Sequence, residues 1–402
     1  MRKSSSKSIA ICVFLSAAMP SFAEGIIDIK PSISTSINYD DNVFRFSTPE
    51  QARATFGSDK TADVVKRLDL GATVNLRLSR QMLVASANVT ESRYNRFILL
   101  DNTAKSLSLG WNWRLGNDVY GQLIVRKQEA ISGFNDIRTP VKNLRTNINR
   151  LARINWDIHP DWTVYATHET NDTDNEQANF SGLDREDESI ETGLQFLDTS
   201  NTQLGLAYRT TTARYPSRDN FQSLLFGSED KQKSILLTAA WQPTPKTRIS
   251  TRLSQINIEY NTNFRDEFSG FNQRWAINHA LTGKINLNAS VYKEVSPIDD
   301  ILSTFVQATG ASINPTWRLS SKTSILAGLS VEKRDFLGSS NFFINNRDDR
   351  RDISKIANLS LLYAPTNRSL LQLQYIGEKR TSNFENFDYE FNNINLTFRY
   401  EF

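Results

Sequence analysis

Apolar and polar residues alternate with a period of two along much of the chain. Leu68, Leu70, Ala72, Val74, Leu76 and Leu78 are interleaved with Asp69, Gly71, Thr73, Asn75, Arg77 and Ser79. The same pattern carries Leu107, Leu109, Trp111, Trp113 and Leu115, then Ile285, Leu287, Ala289 and Val291. It returns in Ile325, Ala327, Leu329 and Val331, and in Leu371, Leu373 and Tyr375. Successive side chains of a strand point to opposite faces, so each series predicts a strand with one apolar and one polar face. No run after the first residues approaches the roughly 18 apolar positions that a membrane helix needs. If the chain spans a bilayer, it does so with strands.

The alternation breaks at short segments: Ser79–Met82, Leu115–Asp118, Ile158–Asp161, Asp198–Thr202, Gln242–Thr247, Thr282–Lys284, Leu319–Thr323 and Ala364–Arg368. Longer polar stretches lie between them, at Thr48–Lys66, Asn171–Glu188, Arg214–Lys233 and Arg334–Asp352. Short turns at one end and long loops at the other are the habit of outer-membrane barrels, whose long loops face outward. With a first strand at Ile29–Tyr39 and a last at Asn392–Phe402, the pattern predicts an all-β, antiparallel, up-and-down transmembrane barrel. It should have about 18 strands, with about 16 as the alternative count.

Both ends of the chain bear on location. Arg2, Lys3 and Lys7 precede the apolar stretch Ile9–Ala18, and Ser21 and Ala23 are spaced like a signal-peptidase site. This predicts a signal peptide over residues 1–23, cleavage between Ala23 and Glu24, and a barrel over residues 24–402. The single cysteine, Cys12, would leave with the signal. At the other end Ile394, Leu396, Phe398, Tyr400 and Phe402 alternate with Asn395, Thr397, Arg399 and Glu401. A final strand closing on an aromatic residue resembles the mark recognised by the outer-membrane barrel assembly machinery, with Phe398, Tyr400 and Phe402 as that signal. The tryptophans Trp111, Trp113, Trp156, Trp162, Trp241, Trp275 and Trp317 fit interfacial girdles against outer-membrane lipid.

Charge removes one class of partner. The formal net charge of +3 equals the three basic residues of the signal, because no acid precedes Glu24. A near-neutral mature chain lacks the basic excess that nucleic-acid binding requires.

Assigning each apolar set to lipid leaves the alternate set to the lumen. That set includes Arg77, Arg114, Arg126, Arg145, Arg153, Arg209, Arg248, Arg252, Arg274, Arg334 and Arg399, with Glu169, Glu191, Glu294, Glu332 and Glu378. Unpaired guanidiniums would bind carboxylates such as those of uronic acids in bidentate geometry. Paired ones would knit the wall into salt-bridge ladders. Tyr120, Tyr165 and Tyr292 fall on the same side and offer stacking surfaces for sugars.

Catalytic constellations are not apparent. His159 falls in a turn, while His168 and His279 take the lipid-facing register, so nothing in the sequence favours a histidine-activated nucleophile. Asp172, Asp174 and Glu176 lack the glycine and the distal glutamate of a calcium loop, with Gln177 and Leu183 standing there instead. The expectation is a passage, with neither catalytic residues nor a cofactor or metal.

The segment Pro31-Ser-Ile-Ser-Thr-Ser-Ile-Asn-Tyr-Asp-Asp-Asn-Val-Phe-Arg45 resembles the opening of the β-barrel porin 2 family. Within that family it is similar to the EpsL-type exopolysaccharide-export barrels, through Tyr39, Asp40, Asp41, Asn42, Val43 and Phe44. The resemblance implies a passage for a polysaccharide chain in a synthesis and secretion system, served by a periplasmic scaffold. It implies no catalytic residue. On their own chemistry Asp40, Asp41 and Asn42 suit anchoring of a loop at the rim, because such side chains bond nearby backbone in turns. Two other readings remain: a general or anion-preferring diffusion porin, and a structural or adhesive barrel working through its outer loops.

Overall fold

A computed structural model describes residues 26–136, 139–198, 201–297, 305–337, 350–384 and 386–402. The signal segment and its junction at Ala23 and Glu24 lie outside the described residues.

Eighteen strands form one sheet. They are β1 (Ile27–Asp40), β2 (Asp63–Leu78), β3 (Gln81–Tyr94), β4 (Asn102–Leu115), β5 (Val119–Ile131) and β6 (Leu144–His159). The next are β7 (Trp162–Asn175), β8 (Arg185–Leu197), β9 (Gln203–Arg214), β10 (Glu229–Thr244), β11 (Thr247–Tyr260) and β12 (Phe268–Ala280). The last are β13 (Ile285–Pro297), β14 (Phe305–Arg318), β15 (Thr323–Leu337), β16 (Arg351–Thr366), β17 (Ser369–Ser382) and β18 (Tyr389–Glu401).

Each strand pairs antiparallel with its sequence neighbours, and β1 pairs with both β2 and β18. The seam runs from Ser32 opposite Glu401 to Asp40 opposite Asn393. Closure leaves no edge, which is the condition for strands to cross hydrocarbon, where an unpaired backbone group finds no water. Among the described residues no helix is long and apolar enough to cross a membrane.

The outer wall carries the exposed apolar set: Leu68 and Leu70 on β2, Leu107 and Leu109 on β4, Leu371 and Leu373 on β17. Six tryptophans sit near the short-turn end, Trp111, Trp113, Trp156, Trp162, Trp241 and Trp317. Trp275 lies midway along β12, between Phe268 and Ala280, away from that girdle.

The eight short turns fall where the alternation breaks, but the long loops are shorter than the polar stretches suggested. β7 continues to Asn175 and β8 begins at Arg185, and β10 begins at Glu229. The strand tips rise beyond the lipid belt, where both faces meet water and alternation has no reason to persist. Cross-strand charge pairs occupy their outer face, as with Arg150 and Asp172 at 2.6 Å and Lys233 and Glu259 at 2.6 Å.

An apolar cluster forms inside the outer mouth. The loop after β1 carries helix α1 (Pro49–Phe56), capped by Thr48 and ended by Gly57 at φ 69°. It buries Val43, Phe44, Phe46 and Ala52 with Leu100. The Phe44 ring lies 4.8 Å from Phe97 and 4.6 Å from Phe134, which belongs to the loop joining β5 to β6. Three outer loops, those after β1, β3 and β5, thus meet in one cluster.

Candidate functional site: an arginine-lined lumen under an infolded loop

The register places all eleven candidate arginines on lumen-facing positions, and their partners divide them. Four meet carboxylates. Arg209 Nε donates to Glu191 Oε2 at 2.7 Å, Arg274 Nε to Glu294 Oε1 at 3.0 Å, and Arg334 Nε to Glu332 Oε1 at 2.6 Å. Arg399 lies 3.5 Å from Glu401. Arg145 sits on β6 in register with Asn175.

The other six have no carboxylate partner among the described residues. Arg248 donates to the Gln203 side chain at 3.0 Å, and Arg114 donates to the Asn117 carbonyl at 3.0 Å. Arg153 stacks on Tyr165 with 3.9 Å to the ring centre. The side chains of Arg77, Arg126 and Arg252 make no hydrogen bond or ion pair among those residues. Arg252 stands in register with Arg274 across β11 and β12.

Two wall segments repeat one device. On β7, Tyr165 crosses Gly193 of β8 and donates to Glu191 at 2.8 Å, which also holds Arg209. On β13, Tyr292 crosses Gly310 of β14 and donates to Glu332 of β15 at 2.6 Å, which also holds Arg334. The glycines are required by these rings: a Cβ at Gly193 would stand 2.7 Å from Tyr165, and one at Gly310 would stand 2.5 Å from Tyr292. Each tyrosine orients a glutamate, and each glutamate fixes one arginine, so charge on these segments is held rigidly. Tyr120 makes a weaker version, lying under Arg114 at 4.7 Å and donating to Asp157 at 3.4 Å.

The loop between β5 and β6 crosses the lumen to the far wall. Arg380 Nη1 on β17 donates to the Asn135 carbonyl at 2.8 Å and to Asp136 Oδ1 at 3.0 Å. Arg334 on β15 reaches the same carboxylate at 3.4 Å. Arg380 also lies 3.8 Å from Asp352, and its guanidinium lies 4.8 Å from the Tyr389 ring centre. Lys142, in the same loop, donates to the Asp101 carbonyl at 2.7 Å. A bridge therefore spans the lumen above the mid-depth arginines.

The segment Tyr39–Asn42 holds the first loop across the β1–β18 seam. Asp40 accepts from Arg45 at 2.9 and 3.0 Å, and Asp41 accepts from the Asn392 backbone and side chain at 2.8 and 2.9 Å. Asn42 donates to the carbonyls of Phe46 at 2.9 Å and Glu390 at 3.0 Å. Tyr39 points outward, opposite Ile394. Phe398 and Tyr400 face the lipid side of β18, and the Phe402 amide donates to the Pro31 carbonyl at 3.0 Å.

A second polar cluster lies under helix α2 (Asn220–Phe226), where the loop after β9 folds back. Tyr215 donates to Asp230 at 3.1 Å, with the Arg218 guanidinium 3.5 Å from its ring centre. Burial pushes the Tyr215 phenol up to about 12, with Arg185 opposing and Asp230 adding to the shift. Burial also lowers the Arg218 guanidinium below its ordinary value.

Asn135, Asp136 and Arg380 were not among the sequence candidates. Arg380 shares the lumen register of Gln372 and Gln374, so the period of two on β17 did carry it. Asn135 and Asp136 sit in a polar loop that sequence gives no reason to fold inward.

A closed antiparallel barrel with an apolar outer belt, a polar lumen and an infolded loop is the architecture of an outer-membrane transmembrane protein. Its structure is similar to that of a BenF-like porin from Pseudomonas fluorescens Pf-5, with TM-score 0.54 and 10% identity over 93% of this chain and 99% of that one. It is also similar to Pseudomonas aeruginosa OccK2 (OpdF), solved in complex with glucuronate, with TM-score 0.53 and 10% identity over 93% and 98% of the two chains. No protein-family model and no curated protein matches the sequence.

Proposed function

We propose that the chain is a diffusion channel of the outer membrane that favours small anionic solutes. The observation that carries this reading is Arg252, which faces the lumen opposite Arg274 and has no carboxylate partner among the described residues. Arg126 and Arg153 share that lack of a carboxylate. Guanidiniums in a confined, partly dehydrated passage attract a carboxylate more strongly than they would in bulk water. The tyrosine–glutamate struts keep neighbouring arginines neutralised and in place, so the excess positive field is concentrated on the unpaired ones.

A small solute suits this passage better than a polymer, because the bridge from Asp136 to Arg334 and Arg380 crosses the path. A porin of similar fold has been crystallised with glucuronate, and a monosaccharide carrying one carboxylate matches the unpaired guanidiniums here in size and charge. The export of a polysaccharide rests on the resemblance of residues 31–45 alone, and would need the bridge to open.

Liposome uptake tests the proposal. Proteoliposomes should admit glucuronate faster than glucose, whose neutral ring is of similar size. Equal rates would remove the anion preference. Loss of extracellular polysaccharide on deletion of the gene would favour export instead.

A further inference from the structure

A groove of about 790 Å³ is open on the outside of the barrel, away from the lumen. Its floor is formed by outward positions of β13 to β17, with Ala289, Ala311, Ala357 and Gly377 making it concave and Trp275 and Tyr375 on its walls. These side chains face hydrocarbon, so the groove is shaped for an acyl chain.

At the outer end of the groove the wall changes from apolar to basic in one step on four strands. Val291 is followed on the same face by Lys293, Val331 by Lys333, and Gly377 by Lys379, while Lys355 precedes Ala357 on the descending β16. Lys355 and Lys379 stand directly opposite each other in the ladder. Like charges in that position destabilise a sheet. Neighbouring strands lie about 4.8 Å apart, so the lysines form a crescent on the order of 20 Å wide.

The acids near this crescent leave part of it unneutralised. Lys333 pairs with Asp335 at 2.9 Å, and Asp335 also accepts from Arg351 at 2.9 Å. Lys379 lies 3.5 Å from Glu390, with both side chains exposed. Lys293 and Lys355 have no carboxylate partner among the described residues. Elsewhere along the outer end of the barrel, Lys105, Arg150 and Lys233 each have one, while Lys66 and Lys127 stand singly without one among the described residues and do not face a second lysine across the ladder.

From the apolar groove and the cationic rim above it we infer a binding site for one phosphate-bearing, multiply acylated lipid of the outer leaflet. Its acyl chain lies between Trp275 and Tyr375, and its phosphates lie against Lys293 and Lys355. The lysine stems run along the apolar wall while the ammonium groups stay at headgroup level. The opposed lysines argue for an anionic occupant over a second copy of this chain, whose matching face would carry the same charge.

Native mass spectrometry of the detergent-purified protein tests this, with bis-phosphorylated lipid A and its dephosphorylated counterpart as probes. One phosphorylated lipid should be retained in preference. The pair Lys293→Gln and Lys355→Gln should weaken its binding roughly thirty-fold, a factor of about five for each lysine. Binding of the dephosphorylated lipid should not change, and the pair Lys293→Arg and Lys355→Arg should bind normally. Heat-modifiable migration confirms that each variant is folded. Equal retention of both lipids, unchanged affinity in the glutamine pair, or a protein dimer in place of the lipid adduct would overturn the inference.

Discussion

Arg380 Nη1 donates to Asp136 Oδ1 at 3.0 Å, joining residues 244 apart in the chain. Arg380 is almost wholly buried and Asp136 is partly exposed, at 2% and 28%. The contact ties the tip of the β5–β6 loop to the opposite wall, and Arg334 shares the carboxylate. The loop therefore meets the β15–β17 wall at this level.

Replacing Asp136 with alanine removes the acceptor that both arginines share. A charge-assisted bond with one buried partner contributes on the order of 2 kcal/mol, so the closed arrangement should lose about thirty-fold in relative population. Planar-bilayer recordings of Asp136→Ala should show a larger unit conductance than the parent. Unchanged conductance would mean that the loop is held without Asp136, by Phe134 and by the bonds at Asn135 and Lys142.

Reversing Arg248 and Arg252 to glutamate places two carboxylates where the lumen now carries uncompensated cations. Anion preference should fall or invert, and the effect should shrink as salt is raised, because screening lengths shorten to about 3 Å at 1 M. Zero-current potentials measured at two ionic strengths check both parts.

Gly193→Ala puts a methyl group 2.7 Å from the Tyr165 ring. The ring cannot swing aside without breaking its 2.8 Å bond to Glu191. The cost should be about 1–3 kcal/mol, as for other forced overpacking. The temperature at which the folded band converts to the unfolded band should drop, and Gly310→Ala should behave alike through Tyr292. An unaltered transition in both would contradict the strut.

Tyr215 is buried and neutral, with its phenol pushed up to about 12 from 10.0. Because the folded value is raised, its contribution is full below pH 10 and is lost as pH rises through about 12. The magnitude is at most on the order of 3 kcal/mol, and it acts locally on the loop under α2. Proteolysis or amide exchange of residues 215–228 should accelerate across that window. A flat profile would place Tyr215 in contact with water.

The barrel was legible because lipid on one side and water on the other impose a strict alternation, and each short turn interrupts it. Leu68 to Leu78 and Ile394 to Phe402 show this most clearly. The strand tips were not legible, since Arg150, Asp172, Lys233 and Glu259 stand above the hydrocarbon and both faces there are polar. Lumen sidedness followed from the period of two, so every candidate arginine could be given a face. Partnership could not follow, because the carboxylates that neutralise Arg209 and Arg274 lie on other strands and depend on stagger. The bridge at Asp136 was invisible for a stronger reason: a loop's inward fold is set by contacts with β15 and β17, which no local pattern records.

The zero-current potential of the parent channel in a potassium chloride gradient across a planar bilayer is the most direct test of the central claim. Discrete conductance steps are expected, with a potential displaced toward chloride. A cation-selective potential, or an absence of steps from folded protein, would contradict it.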